Sequence, residues 1–195
     1  MTSEADALTL PSIALAVRQP WAWAIIHGGK DIENRNSHSV SLGGMKPGRI
    51  AILASRGMTR AEYEEAVEFM EGLGVACPHP ADLLRGGIVG EVRVTGIVRE
   101  SDSPWFFGPR GLVLADAKPC AFVAAIGELG YFQWRRHDAG APSSLPWMVK
   151  YRRAPSLAAP LAGTLLLLNP SVSSSPAARA SICRRLAFRS AGCPQ

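Results

Sequence analysis

The 195 residues, 47% hydrophobic and 19% charged, have the composition of one globular domain with room for a tail. The nearest thing to a membrane span, Leu161 to Leu168, is far shorter than the ~20 apolar residues a spanning helix needs. The start, MTSEADALTLPS, is acidic where a secretory signal would be basic, so the expectation is a cytoplasmic protein with no membrane partner. The net charge of +5 is uneven: residues 1–135 hold 13 basic and 15 acidic side chains, net −2, and residues 136–195 hold 8 basic and one acidic, net +7. Any nucleic-acid affinity of the first part must therefore come from a local cluster of cations.

In chain order, residues 1–11 read as loose. Ile13 to Val17 is a short apolar run, a buried strand ending at Arg18. Pro20 suits the first turn of a helix, and Trp21, Ala24, Ile25 and Gly28 recur at helical spacing, so Trp21 to His27 is predicted helical. Gly28-Gly29 ends it, one of them supplying positive φ. Lys30 to Arg35 reads as a strand, with Ile32 and Asn34 on one side and Asp31, Glu33 and Arg35 on the other. Asn36 to Gly48 is a polar, Gly-rich loop, and Arg49 to Ser55 a buried strand.

Thr59 and Glu62 have the spacing of a capping box, opening a helix that ends at Gly72 or Gly74. Its acidic residues, Glu64, Glu65, Glu68 and Glu71, read as a solvated face. Pro80 to Arg85 suggests a second helical turn. Gly87 to Arg99, rich in Val and Ile, is the strongest strand signal. Ser101 to Gly111 is a loop with three aromatic residues, and Leu112 to Ala115 a strand stopped by Asp116 and Pro119. From Arg136 onward Pro, Ser, Ala and Arg dominate; Leu161 to Leu168 could add an edge strand or a docking segment, and Pro170 to Gln195 reads as disordered. Several short strands, two helical inserts and no βαβ spacing argue for an α+β fold, a small mixed barrel with flanking helices. Cys77, Cys120, Cys183 and Cys193 form no CxxC or CxxH pair, so neither a metal nor another cofactor is expected.

Gly28-Gly29-Lys30-Asp31-Ile32-Glu33-Asn34-Arg35 fits GxKxxExR, the signature of the ASCH domain in the PUA-like superfamily. LAVRQPWAWAI before it resembles that family's strand–helix entry, RIAILAS its second strand, and GGIVGEVRVTGIVRESDSPWFFGPRGLVLADAKP its later hairpin. The resemblance covers roughly residues 12–135 as an ASCH (PUA-like) domain; residues 136–195 have no counterpart and read as a flexible, basic tail. It implies a barrel of about five or six strands with a cleft between barrel and helices. That cleft is the family's presumed site for RNA, a nucleotide or a modified nucleoside. Some small relatives hydrolyse an acylated cytidine with a Lys, a Thr and a Glu, and ribonuclease activity occurs in the superfamily. Lys30 takes the place of that Lys, but Glu33 stands where their Thr does.

The residues of Leu15 to Asn36 can serve such a site on their own chemistry. If Lys30 stays in the Gly28-Gly29 turn it can reach over the cleft, while Glu33 and Arg35 share a strand face. Lys30 then offers a mobile point charge to phosphate and Arg35 a planar fork; the competing role is a surface Lys and an Arg paired to Glu33. Glu33 orients those cations, accepts from a base amine, acts as a general base with Lys30, or is a structural ion-pair partner. Arg18 and Gln19, at the end of a buried strand, suit a phosphate or base edge. Trp21, Trp105 and Phe107 are stacking candidates, with core packing as the alternative; Trp105 stands in a loop bracketed by Pro104 and Gly108. Ser55 offers a hydroxyl at a strand end.

Overall fold

The computed structural model describes residues 9–136 and 146–151. Six strands form one curled, mixed sheet in the order β2-β5-β4-β3-β1-β6. They are β1 (Ile13–Val17), β2 (Ile32–Arg35), β3 (Gly48–Ala54), β4 (Gly87–Val98), β5 (Arg110–Ala124) and β6 (Tyr131–Gln133). Helices α1 (Trp21–His27), α2 (Ser37–Leu42), α3 (Arg60–Gly72) and α4 (Pro146–Val149) flank it. The molecule is thus α+β and barrel-like. Among the described residues no helix is long and apolar enough to cross a membrane.

Strand alternation sorts the core into two faces. Leu15 and Val17 of β1, Ile50 and Ile52 of β3 and Val92 and Val94 of β4 point into the barrel, where Ala22, Ile25 and Ile26 of α1 fill it. Ala14, Ala51, Leu53 and Ile88 point outward, under Ala125, Phe132 and Trp134. A third cluster joins Tyr63, Ala66 and Met70 of α3 to Ile32, Trp105 and Met148.

The curl brings β2 towards β1, but no ladder joins them. Arg35 Nη2 donates to the Ala16 carbonyl at 2.9 Å, and Tyr131 N donates to the Gly43 carbonyl at 2.8 Å. At that second crossing a Cβ on Gly130 would lie 2.5 Å from Gly43 Cα, so the approach requires glycine.

Several elements differ from the sequence reading. β1 and β3 are parallel neighbours, so the chain does contain a crossover, through α1, β2 and α2. Asn36 opens α2 inside the expected loop, its side chain accepting from Ser39 N at 2.6 Å; six residues of Ser, His, Val and Leu are too few for periodicity to reveal. β5 does not stop at Ala115. Asp116 takes a positive φ of 53° in a bulge that opposes Asp116 and Ala117 to the single residue Val92, and the strand resumes as far as Ala124. Of residues 80–85, 80–82 form a single turn, with Asp82 N donating to the His79 carbonyl at 2.9 Å, and 83–85 continue without helix. The segment read as loose has an anchored end: Leu10 is buried, and Trp134 Nε1 donates to the Pro11 carbonyl at 2.7 Å. Within the segment read as tail, Met148 is buried against α3 and Tyr151 packs on Tyr63 at 5.1 Å. Leu161 to Leu168 and Pro170 to Gln195 lie outside the described residues.

Candidate functional site

Lys30 stands in the turn before β2, after Gly29 at φ +70°. Its backbone N–H donates to the Ala24 carbonyl at 3.0 Å, fastening the turn to α1. The side chain is 3% exposed. Its ammonium lies 5.8 Å from the Trp21 ring centroid and 5.6 Å from that of Trp105, donates to the Ile32 carbonyl, and sits 3.6 Å from Glu33 Oε2. Burial lowers the Lys30 pKa below its usual range, against the opposing pull of Glu33.

Glu33 and Arg35 share a face of β2, and Glu33 Oε1 pairs with Arg35 Nη2 at 3.1 Å. Lys30, Glu33 and Arg35 thus form one buried row of two cations and one anion. Arg35 Nε is buried with no hydrogen-bond partner.

Ile32 and Asn34 face the other way, towards α3 and the 101–107 loop. Asn34 Nδ2 donates to the Trp105 carbonyl at 2.7 Å, and its Oδ1 accepts from Phe107 N at 2.8 Å. One side-chain amide therefore clamps the loop, replacing a strand partner. Sequence reasoning passed over Asn34; its signal is an amide at an inward strand position, where an unsatisfied polar group would be costly.

The remaining candidates fall into three places. Arg18, half exposed, extends from the end of β1 to pair with Glu62, which closes the capping box with the N-cap Thr59 of α3. Gln19 is 3% exposed and has both ends of its amide engaged: Oε1 accepts from Trp23 N at 2.9 Å and Nε2 donates to the Leu84 carbonyl at 2.8 Å. It supplies the cap that Pro20 cannot, which leaves its amide no base edge to read.

Trp105 is not an open stacking platform. It is 5% exposed, edge-on to Trp21 at 6.4 Å and to Phe69 at 5.5 Å, because α3 uses its loop as a lid on the core. Trp21 and Phe107 are half-buried, Phe107 edge-on to Phe69 at 5.0 Å. Ser55 N donates to the Val17 carbonyl, while its side chain lines a pocket on the outer face of the sheet.

The structure so brings Lys30, Glu33 and Arg35 into direct contact, with Trp21 and Trp105 around Lys30. Arg35 reaches the C-terminal part of β1 through the Ala16 carbonyl, two residues before Arg18. Compared with models of known families and with characterised proteins, the chain matches none.

Proposed function

We propose that the chain is a cytoplasmic ASCH domain of the PUA-like superfamily that binds RNA, a nucleotide or a modified nucleoside at the C-terminal end of β1. The observation that carries this reading is the buried Lys30–Glu33–Arg35 row. A barrel does not need it, since apolar side chains of similar volume fill such a space at least as well. The row holds one cation more than anions, and Arg35 keeps a donor without a partner. An incoming phosphate answers both, and the planar guanidinium fits it. Arg18, half exposed on the same strand end, adds a second cation. The GxKxxExR pattern supports the same assignment.

The test is titration of the whole chain with a short single-stranded RNA and with mononucleotides at two salt concentrations. Arg18→Ala should weaken binding evenly across sequences and lower the salt slope by about one. Arg35→Lys keeps the charge, loses the fork, and should weaken binding as well. Unchanged isotherms for both variants, in protein that melts like wild type, would sink the assignment.

A second reading, a nucleoside amidohydrolase or ribonuclease using Lys30 and Glu33, is favoured by the lowered Lys30 pKa. Burial that disfavours the charged ammonium favours the neutral Lys30 amine, the form that accepts a proton from an attacking hydroxyl or water. Release of cytidine from an acylated cytidine, abolished in Lys30→Met, selects this reading; no turnover removes the amidohydrolase.

A further inference from the structure

We infer that the outer face of the sheet carries a second, separate site, which takes a small aliphatic monocarboxylate. The pocket there has a volume of 360 Å³. It opens where β1 and β3 end and the chain leaving β5 crosses over them. Ala16 and Leu53 form its floor, Ala125 and Ile126 a wall, and Leu129 stands at the rim. Gly127 lies flat on that floor: a Cβ there would meet Leu53 at 3.0 Å and Ala16 at 3.3 Å. The pocket lies on the face of these strands that carries Leu53 and Ala125; Lys30, Glu33 and Arg35 do not line it, and Arg35 meets Ala16 through its backbone carbonyl.

Two polar groups converge on the aliphatic walls. The Ser55 hydroxyl and the Arg56 guanidinium line the pocket, and neither has a side-chain partner among the described residues. Arg56 is nonetheless held in place. Its carbonyl accepts from Arg85 Nη1 at 2.6 Å, and its side chain lies across Gly86, where a Cβ would come within 3.0 Å of Arg56 Cγ. The nearby Arg18 already has an anion beside it, Glu62, whereas Arg56 has none among the described residues. A guanidinium fork with no anion among the described residues, next to an apolar hollow, is suited to a carboxylate with an apolar body.

The lining narrows the class further. Among the described residues no aromatic ring lines the space, so they offer a planar base no stacking surface. Glu128 at the rim is engaged in an interaction of its own, and its charge disfavours a dianion such as phosphate over a single carboxylate. At ~30 Å³ per water-sized group the volume takes about a dozen heavy atoms, enough for hexanoate with room to spare. Ile126 is 42% and Leu129 93% exposed, so an aliphatic chain laid against them removes apolar surface from water.

The experiment is an amide chemical-shift titration of the full chain with hexanoate, with hexan-1-ol and inorganic phosphate as controls. Hexanoate should give saturable shifts at residues 53–56, 86 and 125–129. Arg56→Ala should weaken it roughly ten- to a hundredfold, and Arg56→Lys less, since the charge stays. Ile126→Glu, an exposed position, should weaken it by roughly tenfold. Both controls should bind more weakly than hexanoate. Three outcomes would overturn the proposal: no saturable shift up to the solubility of hexanoate, hexanol or phosphate binding as well as hexanoate, or shifts centred on Lys30 to Arg35. The Arg56 variants leave Arg18 and the Lys30–Arg35 row intact, so the two sites are tested independently.

Discussion

Glu33 and Glu91 each hold an arginine on the same sheet, yet the two surroundings differ. Glu33 sits between Lys30 and Arg35, with the three side chains 7%, 3% and 13% exposed. Glu91, its own side chain only 12% exposed, pairs at 2.5 Å with Arg49, whose side chain is 59% exposed, and a second pair, Arg93 with Asp116 at 2.6 Å, lies alongside. Outside, each cation has its own anion, and water reaches both arginines, so a lost partner leaves a solvated charge. Inside, one carboxylate serves two cations in a desolvated gap between strands that no ladder joins. The inner row depends on all its members; the outer pairs do not.

The largest expected effect therefore comes from taking the anion out of the inner row. Glu33→Ala leaves Lys30 and Arg35 facing each other without compensation, and should cost about 3–5 kcal/mol of stability in urea denaturation. Glu91→Ala should cost clearly less. Equal losses would break the distinction between the two regions.

Much of this contrast was legible before any coordinates. The i, i+2 spacing of Glu33 and Arg35 fixes a shared strand face, and the paired glycines hold Lys30 in the turn, from which it meets Glu33. What period and propensity do not encode is burial. Nothing in Pro104-Trp105-Phe106-Phe107-Gly108 says that the loop folds back onto Phe69 of α3, and so Trp105 read as an open ring. Gln19 likewise carries no local sign that a helix start and the Leu84 carbonyl will consume its amide. The extension of β5 through Asp116 and Pro119 was hidden because both residues ordinarily end strands; a bulge accommodates the first, and the second lies opposite Gly90. In each case a long-range partner overrode a correct local preference.

The loop clamp gives the next effect in size. Asn34→Ala leaves the Trp105 carbonyl and the Phe107 N–H without their partners and should cost about 1–3 kcal/mol. Near-ultraviolet circular dichroism should also change, because Trp105 loses its fixed orientation, and Lys30 with it. A variant as stable as wild type with an unchanged aromatic spectrum would separate the loop from the row.

pH sharpens the comparison through Lys30. Its pKa is lowered in the folded state, so between that value and the ordinary 10.5 the unfolded chain binds more protons, and Lys30 makes stability rise with pH across that window. Lys30→Met should flatten this slope. Tyr131 acts in the opposite sense: burial pushes its hydroxyl up to about 12, so its contribution is present below pH 10 and is lost as pH climbs from 10 towards 12. Tyr131→Phe should remove that alkaline loss, read as the urea midpoint against pH.

The smallest effect tests the outer surface by its salt dependence. Arg49 and Arg93 are directly opposite on β3 and β4, a like-charge pair tolerated because Glu91 and Asp116 flank it. Asp116→Asn removes one of those anions without disturbing the bulge, since Asn accepts the same positive φ. The variant should be slightly less stable than wild type at low salt and indistinguishable from it at high salt, because exposed charges are screened within a Debye length. Glu33→Gln should show a much smaller recovery, because its partners are largely desolvated and bulk salt screens buried charges far less. Should both losses respond to salt alike, the row is wetter than its burial implies. An anion reaching Arg35 would then have more water to displace.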